Sequence, residues 1–279
     1  MSSQKENRYL VCIDSDGCAI DSMTVKHEKA FGPALLDVWE VPTERHQEIL
    51  TLWNDLNLYT KTRGINRFQG LSAILSYYPE LVDYEEMKQF NAWVHHTKVL
   101  SPEALKTEYD KTGLEILSKA LAWSRRVNEL ITDLPLALPF EGVKEAMVRI
   151  GEKADIAVVS SANRSAIEEE WETSGLYSLV QHFFAQNDGT KSECIRKLID
   201  SGYRNDKIIM IGDAMGDYKA AENNSIKFYP ILAAKETSSW KVFSDKYFQM
   251  FLNGDFDEQI QDELLRTMDE NLSNVIKES

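Results

Sequence analysis

The sequence predicts an α/β fold: a parallel sheet with helices on both faces, interrupted early by an inserted all-helical domain. Three observations lead there. Apolar runs of strand length alternate with helical stretches over the second half of the chain, the pattern of parallel strands joined by crossover helices. The first apolar run and another near the opposite end each stop at a turn carrying two carboxylates. Between the first run and the others, residues 21–138 hold helical periodicity without repeats or low-complexity tracts.

Taken in order, Tyr9-Leu10-Val11-Cys12-Ile13 reads as a buried strand. It stops at Asp14-Ser15-Asp16-Gly17 and delivers two carboxylates to the carboxyl edge of a sheet, where such folds bind ligands. Gly17 lets the backbone turn sharply after the second acid. In the insertion, apolar residues at three-to-four spacing predict helices over 24–39, 44–57, 68–77, 84–98, 101–112 and 113–128. Ser101-Pro102-Glu103 is a helix start with Pro in the first turn. Pro135, Pro139 and Gly142 mark the return to the sheet domain. Strands are then expected at 155–160, 182–186, 207–211 and 225–229. The run 207–211 leads into Gly212-Asp213-Ala214-Met215-Gly216-Asp217, the second carboxylate pair. From about residue 235 an aromatic-rich stretch (Trp240, Phe243, Tyr247, Phe248, Phe251, Phe256) precedes an acidic helical end at 257–276. It reads as a helix pair packed on the core, with a dimer or partner surface as the other reading.

Two close carboxylates are costly to leave bare, because each raises the pKa of the other. A bound cation or a shared proton relieves the repulsion. The residue types alone therefore predict a metal site, an acid/base pair, or both. The alternative for either pair is a solvated turn whose Asp caps the next helix. Two such pairs, each at the end of an apolar strand, weaken that alternative.

Four motifs in order resemble those of the haloacid-dehalogenase-like hydrolases. They are Asp14-Ser15-Asp16-Gly17; the Ser ending Ile156-Ala157-Val158-Val159-Ser160-Ser161; the Lys of Asp188-Gly189-Thr190-Lys191-Ser192; and Gly212-Asp213 through Asp217, followed by Lys219-Ala220-Ala221. The motifs carry the resemblance over 8–20 and 140–230; between them it rests on position and helical character. It implies a Rossmann-like core from residues 1–20 and 139–279, and a helical cap from residues 21–138. It implies Asp14 as a nucleophile that becomes an aspartyl-phosphate and Asp16 as general acid/base. Ser160 would hold a phosphoryl oxygen, with Ser161 a further substrate-side candidate. Lys191 would counter the negative charge gathered at Asp14. The other readings are a helix N-cap for Ser160 and an exposed helix-start residue for Lys191. Mg²⁺ is the implied cofactor, on Asp14, the Asp16 backbone carbonyl and Asp213, with Asp217 binding directly or through water. A hard cation suits oxygen donors. The cysteines and histidines form no zinc-like cluster.

The similar subgroup is that of phosphoglycolate phosphatases and β-phosphoglucomutases. The expected reaction is hydrolysis of a small-molecule phosphate monoester. A sugar phosphomutase, using the same intermediate, is the runner-up. A non-catalytic module binding Mg²⁺ or a ligand is the third reading, and the presence of Asp14, Asp16, Asp213 and Asp217 together argues against it. Asp16 also disfavours dehalogenation and phosphonate cleavage, whose enzymes lack this second Asp. Cys18 departs from the Thr that many phosphatases of the family carry; a thiol is a weaker hydrogen-bonding group than a hydroxyl.

Within the expected cap, Tyr59-Thr60-Lys61-Thr62-Arg63-Gly64-Ile65-Asn66-Arg67 joins two helices and is basic for this chain. In similar proteins a Gly-containing loop near this place reaches the active site. Lys61, Arg63, Asn66 and Arg67 are therefore substrate-side candidates, against the alternative of a solvated connection. His95 and His96 are adjacent on a helix and point in different directions, so a surface or packing role is favoured.

Composition bounds the partners. A chain of 279 residues suffices for two domains. A formal charge of −14 argues against nucleic acid. Residues 1–8 are polar and no apolar run approaches membrane-spanning length, so neither a secretory leader nor a membrane segment is expected. Three scattered cysteines suggest a reducing, cytoplasmic setting without a disulfide framework. The expected partner is a small phosphorylated metabolite, and the expected assembly a monomer or homodimer.

Overall fold

The computed structural model describes residues 5–272. Parts of the expected ranges, residues 1–4 and 273–279 with Ile276 among them, lie outside the described residues. The chain divides into two compact units. Among the described residues, one takes 5–23 and 136–272; the other takes Thr24–Pro135.

The first unit is built on five strands: β1 (Tyr9–Ile13), β2 (Ala154–Val159), β3 (His182–Phe184), β4 (Ile208–Gly212) and β5 (Lys227–Pro230). Their order is β3-β2-β1-β4-β5, and every pairing is parallel. β2 and β4 are buried throughout, as is β1 after Tyr9. That burial on both faces explains why these runs are continuously apolar rather than alternating. The period of two still sorts the side chains. Val11, Ile13, Ile156, Val158, Ile209 and Ile211 face one layer with helix Val143–Gly151. Leu10, Cys12, Ala157, Val159, Ile208 and Met210 face the other, with helices Lys191–Asp200 and Met215–Asn223.

The chain steps from β1 to β2 to β3 in one direction, then returns to β4 and β5 on the far side of β1. The reversal falls between β1 and β4. In open α/β sheets the carboxyl ends at such a switch point form the ligand crevice, because the following helices leave in opposite directions. Ile13 pairs with Ile211, so Asp14 and Asp213 leave the sheet at nearly the same level.

The aromatic tail belongs to this unit. Helix Glu236–Val242, a π-helical turn at Phe243–Tyr247 and helix Phe248–Asn253 follow β5. Trp240, Phe243, Phe248, Phe251 and Phe256 are buried in the same layer as Val11 and Ile13. Helix Glu258–Asn271 packs on the opposite layer through Met268. The tail is thus core, in line with the packed-helix reading.

The second unit is helical throughout its regular elements. Its core carries Trp53 and Trp123, with ring centroids 5.8 Å apart and Phe31 about equally close to both. A buried large aromatic removes roughly 150–250 Å² from water, so these rings account for much of the apolar core. The two long helices expected over 24–39 and 44–57 each contain a π-helical turn, at His27–Phe31 and Asp55–Tyr59. The helix expected over 113–128 instead spans Glu115–Thr132. Gly113 takes φ 69° and ends the preceding helix, which only a residue without Cβ does at little cost. The new helix start is held from elsewhere in the unit. Glu86 accepts the N–H groups of Glu115 (3.1 Å) and Ile116 (2.8 Å).

Among the described residues no helix is long and apolar enough to cross a membrane. All three cysteines are buried and free.

Candidate active site

β1 delivers Asp14 to the switch point. The Asp14 N–H continues the ladder by donating to the Ile211 carbonyl at 3.0 Å. The chain then turns tightly around Ser15, whose carbonyl accepts the N–H groups of Cys18 (3.3 Å), Ala19 (3.0 Å) and Ile20 (2.9 Å). Gly17, at φ 75°, supplies the left-handed residue this turn requires. The Asp16 carboxylate accepts from Ser22 Oγ at 2.5 Å. Cys18 is fully buried, and its Sγ donates over 3.6 Å to the Ile211 carbonyl, the same oxygen that takes the Asp14 N–H. Burial, then the nearby Asp14 charge, pushes the thiol well above its usual range, so it stays neutral and contributes a long, weak hydrogen bond.

Lys191 opens helix Lys191–Asp200, behind a capping box of Thr190 and Glu193. A cation is disfavoured at a helix N-terminus, so its position reflects its partners. Its Nζ lies 2.9 Å from Asp14 Oδ1 and 2.5 Å from Asp217 Oδ1. Burial opposes the charged ammonium, but the Asp14 and Asp217 charges outweigh it and hold the Lys191 pKa above its ordinary value. Asp217 sits in the first turn of helix Met215–Asn223, and its Oδ2 accepts the Ala214 N–H at 3.2 Å. Burial raises the pKa of both Asp14 and Asp217, Lys191 opposes the rise, and neighbouring carboxylates add to it.

The convergence of carboxylates is the informative part. Asp14, Asp213 and Asp217 are all buried, and each offers an oxygen within 4.8 Å of the others. Buried carboxylate oxygens converging at this spacing fit a hard divalent cation such as Mg²⁺, which prefers oxygen donors. Ser160 completes the edge two residues beyond Val158, the partner of Ile13. It is buried; its N–H donates to the Phe184 carbonyl and its Oγ accepts the Ala162 N–H, both at 3.1 Å.

A sequence comparison adds to this geometry. A family model described as haloacid dehalogenase-like hydrolase matches residues 65–231, more than half of the chain. The chain belongs to the haloacid dehalogenase-like hydrolase family. The matched stretch carries Ser160, Lys191, Asp213 and Asp217; Asp14 precedes it and is tied to it by Lys191. Solved structures share the fold. A predicted phosphatase from Clostridium acetobutylicum is 15% identical, with a TM-score of 0.52 over 87% of this chain and 99% of that one. A haloacid dehalogenase-like hydrolase from Xanthomonas campestris is 12% identical, at 0.50 over 88% and 93%. A candidate phosphoglycolate phosphatase from Lactobacillus delbrueckii subsp. bulgaricus is 18% identical, at 0.50 over 80% and 86%. At these identities the likeness establishes the fold. No curated protein matches the chain.

In this hydrolase the helix after β2 is capped by Asn163, whose Oδ1 accepts the Ser165 N–H at 3.1 Å. Ser160 is therefore not its N-cap, and Ser161 is exposed. Lys61, Arg63, Asn66 and Arg67 belong to the second unit. Arg63 is buried and donates through Nη1 to the Leu58 carbonyl at 2.7 Å. Asn66 caps helix Arg67–Tyr77 and donates to the Leu100 carbonyl at 3.1 Å. Arg67 donates to Asn128 Oδ1 at 2.9 Å and to Ser124 Oγ at 3.2 Å, with its guanidinium 5.2 Å over the Phe31 ring; burial lowers its pKa. Lys61 is exposed. Arg63, Asn66 and Arg67 thus also brace their own unit.

The sequence did not point to Ser22, Trp171 or Trp240 as parts of the hydrolase site. Ser22 holds Asp16. Trp171 donates to Ser15 Oγ, and Trp240 donates to the Cys18 carbonyl. The only signals were a polar Ser inside an otherwise buried motif and the aromatic richness of the tail.

Proposed function

We propose that this hydrolase cleaves a small-molecule phosphate monoester with Mg²⁺ as cofactor. The observation that carries the reading is the Asp14–Lys191–Asp217 bridge beside Asp213 at the switch point. Asp14, the Asp16 backbone carbonyl and Asp213 would hold the cation, with Asp217 as a direct or water-mediated ligand. When bound, it neutralises phosphoryl oxygens and so lowers the barrier to anionic attack.

The chain's own residues supply the rest. An Asp14 oxygen attacks phosphorus and the ester oxygen departs, leaving an acyl phosphate on Asp14. Asp16, oriented by Ser22, protonates the departing oxygen. It then takes a proton from the water that hydrolyses the acyl phosphate. Ser160, with Ser161 nearby, binds phosphoryl oxygens. Lys191 stays charged and offsets the carboxylates and the arriving phosphate. As the family resemblance implies, the helical unit would serve as a cap that excludes water, with Lys61, Arg63, Asn66 and Arg67 as its substrate-side candidates. The basic character of Lys61, Arg63 and Arg67 supports a leaving group with its own negative charge. Three buried free cysteines support a reducing, cytoplasmic setting.

The test is inorganic phosphate release from a panel of phosphorylated metabolites, phosphoglycolate included, plus a neutral aryl phosphate. It is run with Mg²⁺ and with chelator, beside Asp14→Asn. Release that needs both Mg²⁺ and Asp14 is expected. Labelling of Asp14 without release would move the reading to a phosphomutase. Neither release nor labelling would remove it. Arg67→Ala is expected to raise KM for an anionic substrate more than for the aryl phosphate; equal effects would sink the charged leaving group.

A further inference from the structure

Two indoles from separate elements grip the loop that carries Asp14 and Asp16. Trp171, in helix Arg164–Thr173, donates Nε1–H to Ser15 Oγ at 2.9 Å. Trp240, in helix Glu236–Val242, donates Nε1–H to the Cys18 carbonyl at 2.8 Å. Trp171, Trp240, Ser15 and Cys18 are all fully buried. A buried donor without an acceptor is costly, so each indole is locked to its oxygen as firmly as its ring is locked in the core.

The loop has reason to need them. Its turn hangs on one oxygen, the Ser15 carbonyl, which gathers three N–H groups. Cys18, in the same turn, reaches the Ile211 carbonyl with its thiol only over 3.6 Å. Ser15 lies between the two acids, so a shift at Ser15 moves both. Cys18 lies two residues after Asp16, so a shift there tilts the turn that aims Asp16. Neither indole is near enough in sequence to be a local turn device; each brings the rigidity of a packed helix to the loop.

We propose that Trp171 and Trp240 are positioning residues that hold Asp16 in register with Asp14. The proposal rests on the phosphohydrolase reading. Misplacement on the order of 1 Å at a reacting centre costs about a hundredfold. Loss of one of two tethers is therefore expected to cost about tenfold in kcat.

The test compares Trp171→Phe, Ser15→Ala, their double variant and Trp240→Phe with the unaltered protein. The readouts are kcat, KM, the Mg²⁺ dissociation constant by calorimetry, and melting temperature. Trp171→Phe and Ser15→Ala are each expected to lower kcat about tenfold with KM within about twofold. The double variant is expected to be no worse than the worse single one, because both remove the same bond. Mg²⁺ affinity is expected to weaken about threefold, because the Asp16 carbonyl moves with the loop. Trp240→Phe is expected to lower kcat separately. A lower melting temperature with unchanged kcat and Mg²⁺ affinity would overturn the proposal, leaving the indoles as packing. So would additive losses in the double variant. Ser15→Ala removes the acceptor and keeps both tryptophan rings, so a misfolded tryptophan variant does not block the answer. If the unaltered protein releases no phosphate, the phosphohydrolase reading falls, and the Mg²⁺ series still decides whether the indoles position the loop.

Discussion

The Asp217 carboxylate occupies the space that any side chain at Gly212 would need. A Cβ on Gly212 would collide with Cβ and Cγ of Asp217. Asp217 cannot swing aside, because it is fully buried and its two oxygens are committed to Lys191 and the Ala214 N–H. Gly212 is therefore part of the site by having nothing there. Gly212→Ala is expected to push the start of helix Met215–Asn223 away from β4 and cut phosphate release at least about a hundredfold. Its melting temperature with Mg²⁺ should fall as well, since overpacking costs about 1–3 kcal/mol. Activity within twofold of the unaltered protein would show that the helix start yields freely.

Lys191→Met removes the cation shared by Asp14 and Asp217. Breaking a buried pair by deleting one partner costs about 3–5 kcal/mol, because the other charge is left bare. The metal-free variant is expected to melt well below the unaltered protein and to recover part of the loss when Mg²⁺ is added. Phosphate release should fall at least about a hundredfold, the scale seen when a transition-state donor is removed. Calorimetric melting with and without Mg²⁺ checks the first point; a variant that melts normally without metal would show that Lys191 is dispensable to the cluster.

The pH dependence of metal-free stability follows from the raised pKa values of Asp14 and Asp217. Carboxyl groups whose pKa values are raised on folding bind protons more tightly in the native state. Their stabilising contribution is complete below the unfolded value near 3.9 and is lost as pH rises through the folded values. Mg²⁺ competes with those protons, so its affinity should grow with pH. The rise in melting temperature on adding Mg²⁺ is expected to be larger at about pH 8 than at about pH 5. An equal rise at both would mean that the carboxylates are already ionised in the acidic sample.

Arg63 is a structural basic residue within its segment. The Arg63 bond to the Leu58 carbonyl is buried, and hydrogen bonds to charged groups contribute about 1.5–3 kcal/mol. At about 2–4 °C per kcal/mol, Arg63→Met should lower the melting temperature by several degrees. An unchanged melting temperature would contradict this role.

Much of the sheet was legible because β1, β2 and β4 are buried on both faces and so write themselves as unbroken apolar runs. β3 was less so. The run expected over 182–186 stops at Phe184, because the Asp188 carboxylate takes the Ala185 N–H at 2.7 Å and turns the chain. The helix expected from residue 113 begins later because Glu86, distant in sequence, caps it. Both misjudged ends depend on a side chain making a bond that spacing does not announce.

The same division holds at the site. The sequence by itself determined the parallel α/β core and the placement of Asp14, Asp213 and Asp217 after strands, because strand burial and carboxylate-bearing turns are local patterns; Ser160 and Lys191 became candidates through the family resemblance. Only the tertiary structure decided that Lys191 bridges Asp14 to Asp217, that Gly212 makes room for that bridge, that Ser22 takes Asp16, and that Trp171 and Trp240 reach the loop across 156 and 222 residues. Hydrogen bonds and ion pairs are short-range in space and indifferent to separation along the chain, so their partners exist only once the packing has brought them together.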